Sequence, residues 1–452
     1  NFKGAAKTYA NLRKKYPENA DFILNHANFL LLSNDVKNAM KTYDEYESLA
    51  GKNPDVSLRK YRYYVGVEKY EAAALEMQSL INAYPDDPQL YGYLAELYQA
   101  QGKTEQALEV YESALKADPN NAYIQLSLAE YYERTRQSDT AFAYLQKAYS
   151  NVGLDIDTKI GVLLRMYPQA ERDPLIRART IVLCDNLALA HPLEAKSFSV
   201  TGDFLYLDGQ FESARASYYQ AIELDPSRYV IWNQVLIIDS ELNDDTAMLE
   251  DSKKALELFP TQPGLYLFNG IANNQQKNYS EAAKSLRSGS QLVIGNPLLS
   301  AQLLASLGDA LHELRRHKSS DSAYAESLVF DPENLYVLNN YSYFLSLRKI
   351  DLEKAKEMSG KTFEKEPTNA SYLDTYGWVL FQLQEFIEAE VLLKKSLENG
   401  GLKSPEVLEH YGDTLFKLNQ IEEAVTYWKM ALAAGSESLS LNKKIESKSI
   451  NE

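Results

Sequence analysis

Apolar residues recur at three- and four-residue intervals in paired blocks along most of the chain, with short polar stretches between the blocks. That spacing has the period of a helix and not the alternation of a strand. The blocks end repeatedly on a similar signal: "KKYPEN", "NAYPDD", "KADPNN", "ELDPSR", "ELFPTQ", "VFDPEN" and "EKEPTN". A proline pushes the residue before it out of helical geometry, so each signal is read as a stop. Pro85 and Pro119 are 34 residues apart, as are Pro226 and Pro260, and Pro332 and Pro367 are 35 apart. Pro54, Pro192, Pro297 and Pro405 fill the ladder with looser spacing. Each period predicts two helices, a hairpin, and the whole predicts an all-α chain.

Small residues recur inside this period. Ala107, Ala214, Ala282, Ala355, Ala389 and Ala424 lie twelve residues after Ala95, Gly202, Gly270, Tyr343, Gly377 and Gly412. Two helices approach closely only where their contact residues are small, and a large side chain forced there costs roughly 1–3 kcal/mol. Tyr343 is the exception to that rule.

These offsets resemble the tetratricopeptide repeat (TPR) family, most closely in "LYGYLAELYQAQGKTEQALEVYESALKADP", with Tyr91, Leu94, Ala95, Tyr98, Gly102, Ala107, Tyr111, Ala114 and Pro119 in register. Residues 196–226 repeat the match through Gly202, Gly209, Ala214, Tyr218, Ala221 and Pro226. The resemblance implies a right-handed α-solenoid of about twelve stacked TPR helical hairpins, the first lacking its leading helix. Residues 154–190 break the spacing with Pro168 and Pro174. The expected organisation is therefore a repeat block over 1–153, an irregular helical junction over 154–190, a second block over 191–435, and a polar capping or frayed tail over 436–452.

Composition narrows the function. With 63 acidic and 47 basic residues the formal charge is −16, which disfavours nucleic acid and anionic lipid as partners. Apolar runs such as "VIWNQVLII" fall short of the ~18 residues of a membrane span. Cys184 is the single cysteine, so no internal disulfide and no multi-thiolate metal site can form. The chain begins at Asn1 within what reads as a repeat, and the expectation is that upstream residues, a targeting segment among them, precede it.

No phosphate loop, dinucleotide fingerprint, nucleophile elbow or HExxH is present. His312 and His317 are five apart and fall on different helix faces, whereas His410 and Asp413 share one face. No catalytic, cofactor or metal site is expected. Tyr111, Tyr218, Tyr324 and Trp428 fall at the family's aromatic packing offsets, as does Leu145 in its repeat.

In the family, the leading helices line a concave face that binds extended peptides or partner helices. Carried onto this sequence, the groove positions are Asp309 with His312, then Asn339, Asn340 and Tyr343, then Asp374 and Trp378, then Glu409 and Asp413. Glu96, Glu130, Asp203, Asn233 and Gln234 stand at the matching places of earlier repeats. Within "VLNNYSYFLS" the helical spacing puts Leu338, Tyr341 and Leu345 in the packed stripe and Asn339, Asn340 and Tyr343 toward the groove. Such a lining favours basic or neutral partners. Family members that grip a chaperone's C-terminal carboxylates use Lys and Asn, then Asn, then Lys and Arg. Here Asn340 holds the central place, but Ala305 and Asp309 precede it and Ser371 and Thr375 follow it, so the cations of that clamp are absent.

The succession "VLNNYSYFLS", "SYLDTYGWVLFQLQEFIEAE", "VLEHYGDTLFKLNQIEEAVTYWKMAL" looks like the C-terminal repeats of bacterial multi-repeat proteins, with Bacteroidota-like residue usage. That resemblance implies a periplasmic or outer-membrane-anchored lipoprotein, its lipid anchor lying upstream of Asn1. The expectation is a non-catalytic scaffold for partner proteins in a cell-envelope assembly or secretion complex; the alternative is a cytoplasmic peptide-binding adaptor.

Overall fold

Helix boundaries follow from caps and prolines. A computed structural model describes residues 1–450, and the described residues form α-helices joined by short turns, with one 3-10 turn at Gly401–Lys403. Pro17, Pro85, Pro119, Pro226, Pro260, Pro332 and Pro367 each lie two residues beyond the end of a helix, as stops. Pro54, Pro297 and Pro405, expected to fill the same ladder, instead occupy the first turn of a new helix. There the missing N–H costs nothing and the fixed φ suits the helix. Asn and Ser side chains cap these and other starts: Asn53 accepts from the Val56 N–H, Asn296 from Leu299, Ser404 from Val407, Asn334 from Val337, and Asn369 from Ser371 and Tyr372.

The chain divides into two compact units, Asn1–Pro226 and Ser227–Glu452. In the first, the single helix Phe2–Lys15 packs on a series of six hairpins running from Ala20–Leu32 to Phe211–Leu224. Residues 154–190 form the helices Ile156–Ala170 and Pro174–Ala190, and their core runs from Tyr149 through Leu163 and Leu187 to Phe204. A buried lysine ties this stretch together. Lys159 Nζ lies 2.8 Å from the carbonyl oxygens of Tyr149 and Asn151 and 2.8 Å from His191 Nε2. The Tyr149 hydroxyl donates back to the Lys159 carbonyl at 2.6 Å. Burial without a carboxylate partner lowers the Lys159 pKa to about 8.

The second unit holds six hairpins, from Tyr229–Glu241 to Ile421–Ala433, and closes with the short helix Leu441–Ser447. The tail expected to cap or fray therefore contains a helix, and its Leu441 is fully buried against the preceding hairpin.

The close approach inside each hairpin falls where the small residues are. A Cβ placed on Gly308 would come within 2.6 Å of the Tyr324 ring, and one on Gly412 within 2.6 Å of Trp428. Rings packed this tightly carry a buried polar atom that must be satisfied. In four hairpins the acceptor is the residue after the contact position, whereas Glu96, at that place opposite the buried Tyr111, is exposed and accepts no such bond. Tyr43 donates to Asn28 at 2.7 Å, Tyr218 to Asp203 at 2.6 Å, Tyr324 to Asp309 at 2.5 Å, and the Trp428 indole to Asp413 at 2.8 Å. Each pair is fifteen residues apart.

The exception at Tyr343 also resolves. In the two following repeats the contact residue lies eight positions after the N-cap, as Gly377 does after Asn369 and Gly412 after Ser404. Counting from Asn334 gives Ser342, which is fully buried. The helix Leu335–Arg348 has 14 residues where its successors Ala370–Gln382 and Pro405–Lys417 have 13, and its turn has two left-handed residues, Lys349 and Asp351. The extra residue moves Tyr343 off the helix contact that the twelve-residue spacing gave it.

Gly377→Leu should damage this packing directly, because a Cβ there would lie 2.7 Å from Leu393 Cγ. The expected cost is roughly 1–3 kcal/mol, read as faster amide exchange in Ala370–Gln382 and Phe386–Glu398.

Candidate functional site

In the second unit a cleft of about 620 Å³ opens along the leading helices, with Tyr343, Trp378, Glu406, Glu409, His410 and Asp413 among its walls. Helical spacing creates it. Tyr343, Trp378 and Asp413 each directly follow the contact residue of their repeat, so they emerge at one edge of the helix crossing. Glu409 lies one turn earlier in its own helix.

An aromatic layer forms the floor. The Trp378 ring lies between Phe381 and His410, with centroid distances of 4.6 Å and 3.9 Å and interplanar angles of 6° and 14°. Tyr343 leans toward the same imidazole at 6.1 Å, and its hydroxyl donates to Glu406 Oε1 at 3.0 Å. The buried His410 places Nδ1 3.0 Å from Asp374 Oδ1. Burial alone would lower the His410 pKa, but Asp374, with Glu406 and Asp413 behind it, outweighs that and holds it above the ordinary histidine value. A protonated imidazole stacked on an indole also gains a cation–π attraction.

At the far end, Lys444 from the closing helix reaches Glu409 Oε1 at 2.9 Å and the two Asp413 oxygens at 2.8 and 2.7 Å. Asp413 is largely buried; desolvation raises its pKa, and the Lys444 ammonium and Trp428 indole oppose that rise.

The eight expected groove residues thus divide. Tyr343, Trp378, Glu409 and Asp413 line the cleft. Asp374 lies beneath it, reached through His410. Asp309 stands further along and is engaged by Tyr324 and by Tyr336, whose hydroxyl donates at 2.8 Å, and burial raises its pKa. Asn340 also bonds Asp309, and the Asn339 amide donates to Asn340 Oδ1 at 3.3 Å. Asn339 is only 7% exposed, so it belongs to the packed interior and not to an open amide pair. Trp378, expected on an open surface, is 9% exposed and is mostly packing. His312 stacks on Phe344 at 3.5 Å, and burial lowers its pKa to about 4. Of the corresponding positions in the first unit, Asp203 serves Tyr218, while Glu96 and Glu130 are exposed.

His410 and Asp413 do not converge: one turns to Asp374, the other to Trp428 and Lys444. Among the described residues no three His, Cys, Asp or Glu side chains gather as metal ligands would, and no helix is long and apolar enough to cross a membrane. Sequence reasoning passed over Glu406, His410 and Lys444 as parts of this cleft. His410 was visible at the position after Glu409; Lys444 lies outside the repeat and no periodic signal marks it.

Residues 1–54, 94–156 and 202–228 match the tetratricopeptide repeat family, and the chain carries these repeats. The Protein STIP1 homolog of Dictyostelium discoideum is 31% identical over 144 residues, 31% of this chain and 24% of that protein. The BBSome complex member BBS4 of Bos taurus is 20% identical over 329 residues, 71% of this chain and 62% of that protein. The chain spans less than two thirds of the length of either relative. The crystal structure of yeast Tom70 is similar over 96% of both chains at 19% identity, with a TM-score of 0.35.

The Asp374–His410 pair sets a pH dependence. His410 is held more protonated in the fold than in the unfolded chain, so its contribution is complete below the ordinary histidine pKa of about 6.5 and is lost as pH rises through the higher folded value. The thermal midpoint of the wild type should exceed that of His410→Gln at pH 5.5, and the gap should narrow toward pH 9.

Proposed function

We propose that this chain is a non-catalytic scaffold that binds a partner protein by laying an extended segment of it in the second unit's cleft, within a cell-envelope assembly or secretion complex. The observation that carries the reading is the cleft itself: an aromatic floor with carboxylates at its rim, contributed by the leading helices of successive repeats. The half-buried Tyr343 offers a ring face, and the exposed Glu406 is oriented by the Tyr343 hydroxyl. Aromatic surface of this kind binds with little loss of side-chain freedom, and fixed carboxylates select charge. The envelope part rests on the likeness of the last three repeats to bacterial multi-repeat proteins. Fractionation of the native source with an antibody to the chain decides between that compartment and the cytoplasm.

A photo-crosslinking p-benzoylphenylalanine at Tyr343 should trap one defined protein in living cells of the source. The same residue at Glu388, on a trailing helix, should not. Tyr343→Ala should abolish the partner complex with little change in melting. Trp378→Ala, by contrast, should cost about 3–5 kcal/mol of local stability, because that ring is buried. Equal trapping at Tyr343 and Glu388, or none at Tyr343, overturns the cleft as the partner site.

A further inference from the structure

The acidic residues of the second unit's inner face are each answered by a group, and the source of that group changes at the last repeat. Asp309 is bonded by Tyr324 of its own hairpin and by Tyr336 of the next. Asp374 faces His410 of the next hairpin. Glu409 and Asp413 stand one helical turn apart, and the cation that answers them comes from outside the repeats altogether.

We propose that Lys444 is an internal stand-in for a lysine of the partner, and that the closing helix Leu441–Ser447 and a lysine-bearing extended segment compete for the same end of the cleft. The proposal rests on the reading of this cleft as the partner site. Three features carry it. Lys444 Nζ has three oxygens at 2.7–2.9 Å, a full complement for the three hydrogens of an ammonium. The receiving carboxylates are oriented by other groups: Trp428 donates to Asp413 at 2.8 Å and Ser438 to Glu409 at 2.9 Å. The cleft then continues past this pair along Trp378 to the half-buried Tyr343 ring and the exposed Glu406. These offer an aromatic face and a further carboxylate to an extended segment whose lysine reaches Glu409 and Asp413.

The helix that holds Lys444 is easily displaced by comparison with a repeat. It has seven residues, its cap makes no side-chain hydrogen bond, and it is held by the fully buried Leu441, the partly buried Ile445 and the ion pairs of Lys444 and Lys448. An isolated helix of this length is unstable in water, so its order depends on these few contacts.

The test uses the full chain and an immobilised decapeptide library of random sequence, with bound peptides identified by sequencing. Lys444→Ala should enrich lysine-bearing peptides at least tenfold over the wild type. Adding Glu409→Gln and Asp413→Asn should remove the enrichment. Leu441→Ser, which loosens the helix but leaves every charged group in place, should raise lysine capture as well and covers the case in which Lys444→Ala does not fold. Peptides retained without lysine preference would overturn the stand-in and leave the cleft reading intact. A lowered melting temperature with no gain in lysine capture in either variant would make the helix a cap only and overturn the proposal.

Discussion

Each hairpin depends on how closely its two helices cross, and that crossing sets a polar requirement. A large side chain from the trailing helix sits over a small residue of the leading helix, as Tyr324 does over Gly308 and Trp428 over Gly412. Where that side chain is aromatic it brings a donor into the core, and an unsatisfied buried donor costs about 1–3 kcal/mol. In four hairpins the residue following the small one is the acceptor within reach, which explains Asn28, Asp203, Asp309 and Asp413; opposite Tyr111 the exposed Glu96 does not take that part. Where the trailing residue is Leu393, no acceptor is needed, and Trp378 takes the place instead.

This requirement shapes the candidate site. The inner face is acidic partly because core rings need acceptors, so its charge is not by itself a sign of a ligand. What distinguishes the last repeats is an aromatic layer of Trp378, His410 and Tyr343, and a pair of carboxylates that reach beyond the hairpins for a cation. One extra residue in the helix Leu335–Arg348 frees Tyr343 from the helix contact and lets it meet Glu406, 63 residues away in sequence.

Much of this was legible in the sequence. The 34-residue ladder, the small contact residues and the proline stops are local features, repeated often enough to be read without coordinates. Four of the eight groove residues lie in the cleft for the same reason: helical phase is a local property. Burial was not legible. Trp378 borders the cleft but is only 9% exposed, and Asn339, at 7%, is packed inside. The one-residue insertion before Lys349 was hidden because its two helices keep the right period on either side of the slip. Lys444 could not be found, since the closing helix lies outside the repeat and its partners are 31 and 35 residues away. The role of Lys159 in holding residues 149–191 together is equally non-periodic.

The central claim is that the acid beside the contact residue is held for the ring fifteen residues on. A double-mutant cycle on Asp309→Ala and Tyr324→Phe, read from native-state amide exchange in Pro297–Glu313 and His317–Phe330, tests it most directly. The account predicts that the two changes are strongly non-additive, with a coupling of about 1.5–3 kcal/mol, as expected for a buried hydrogen bond to a carboxylate. Additive effects, with coupling near zero, would contradict it.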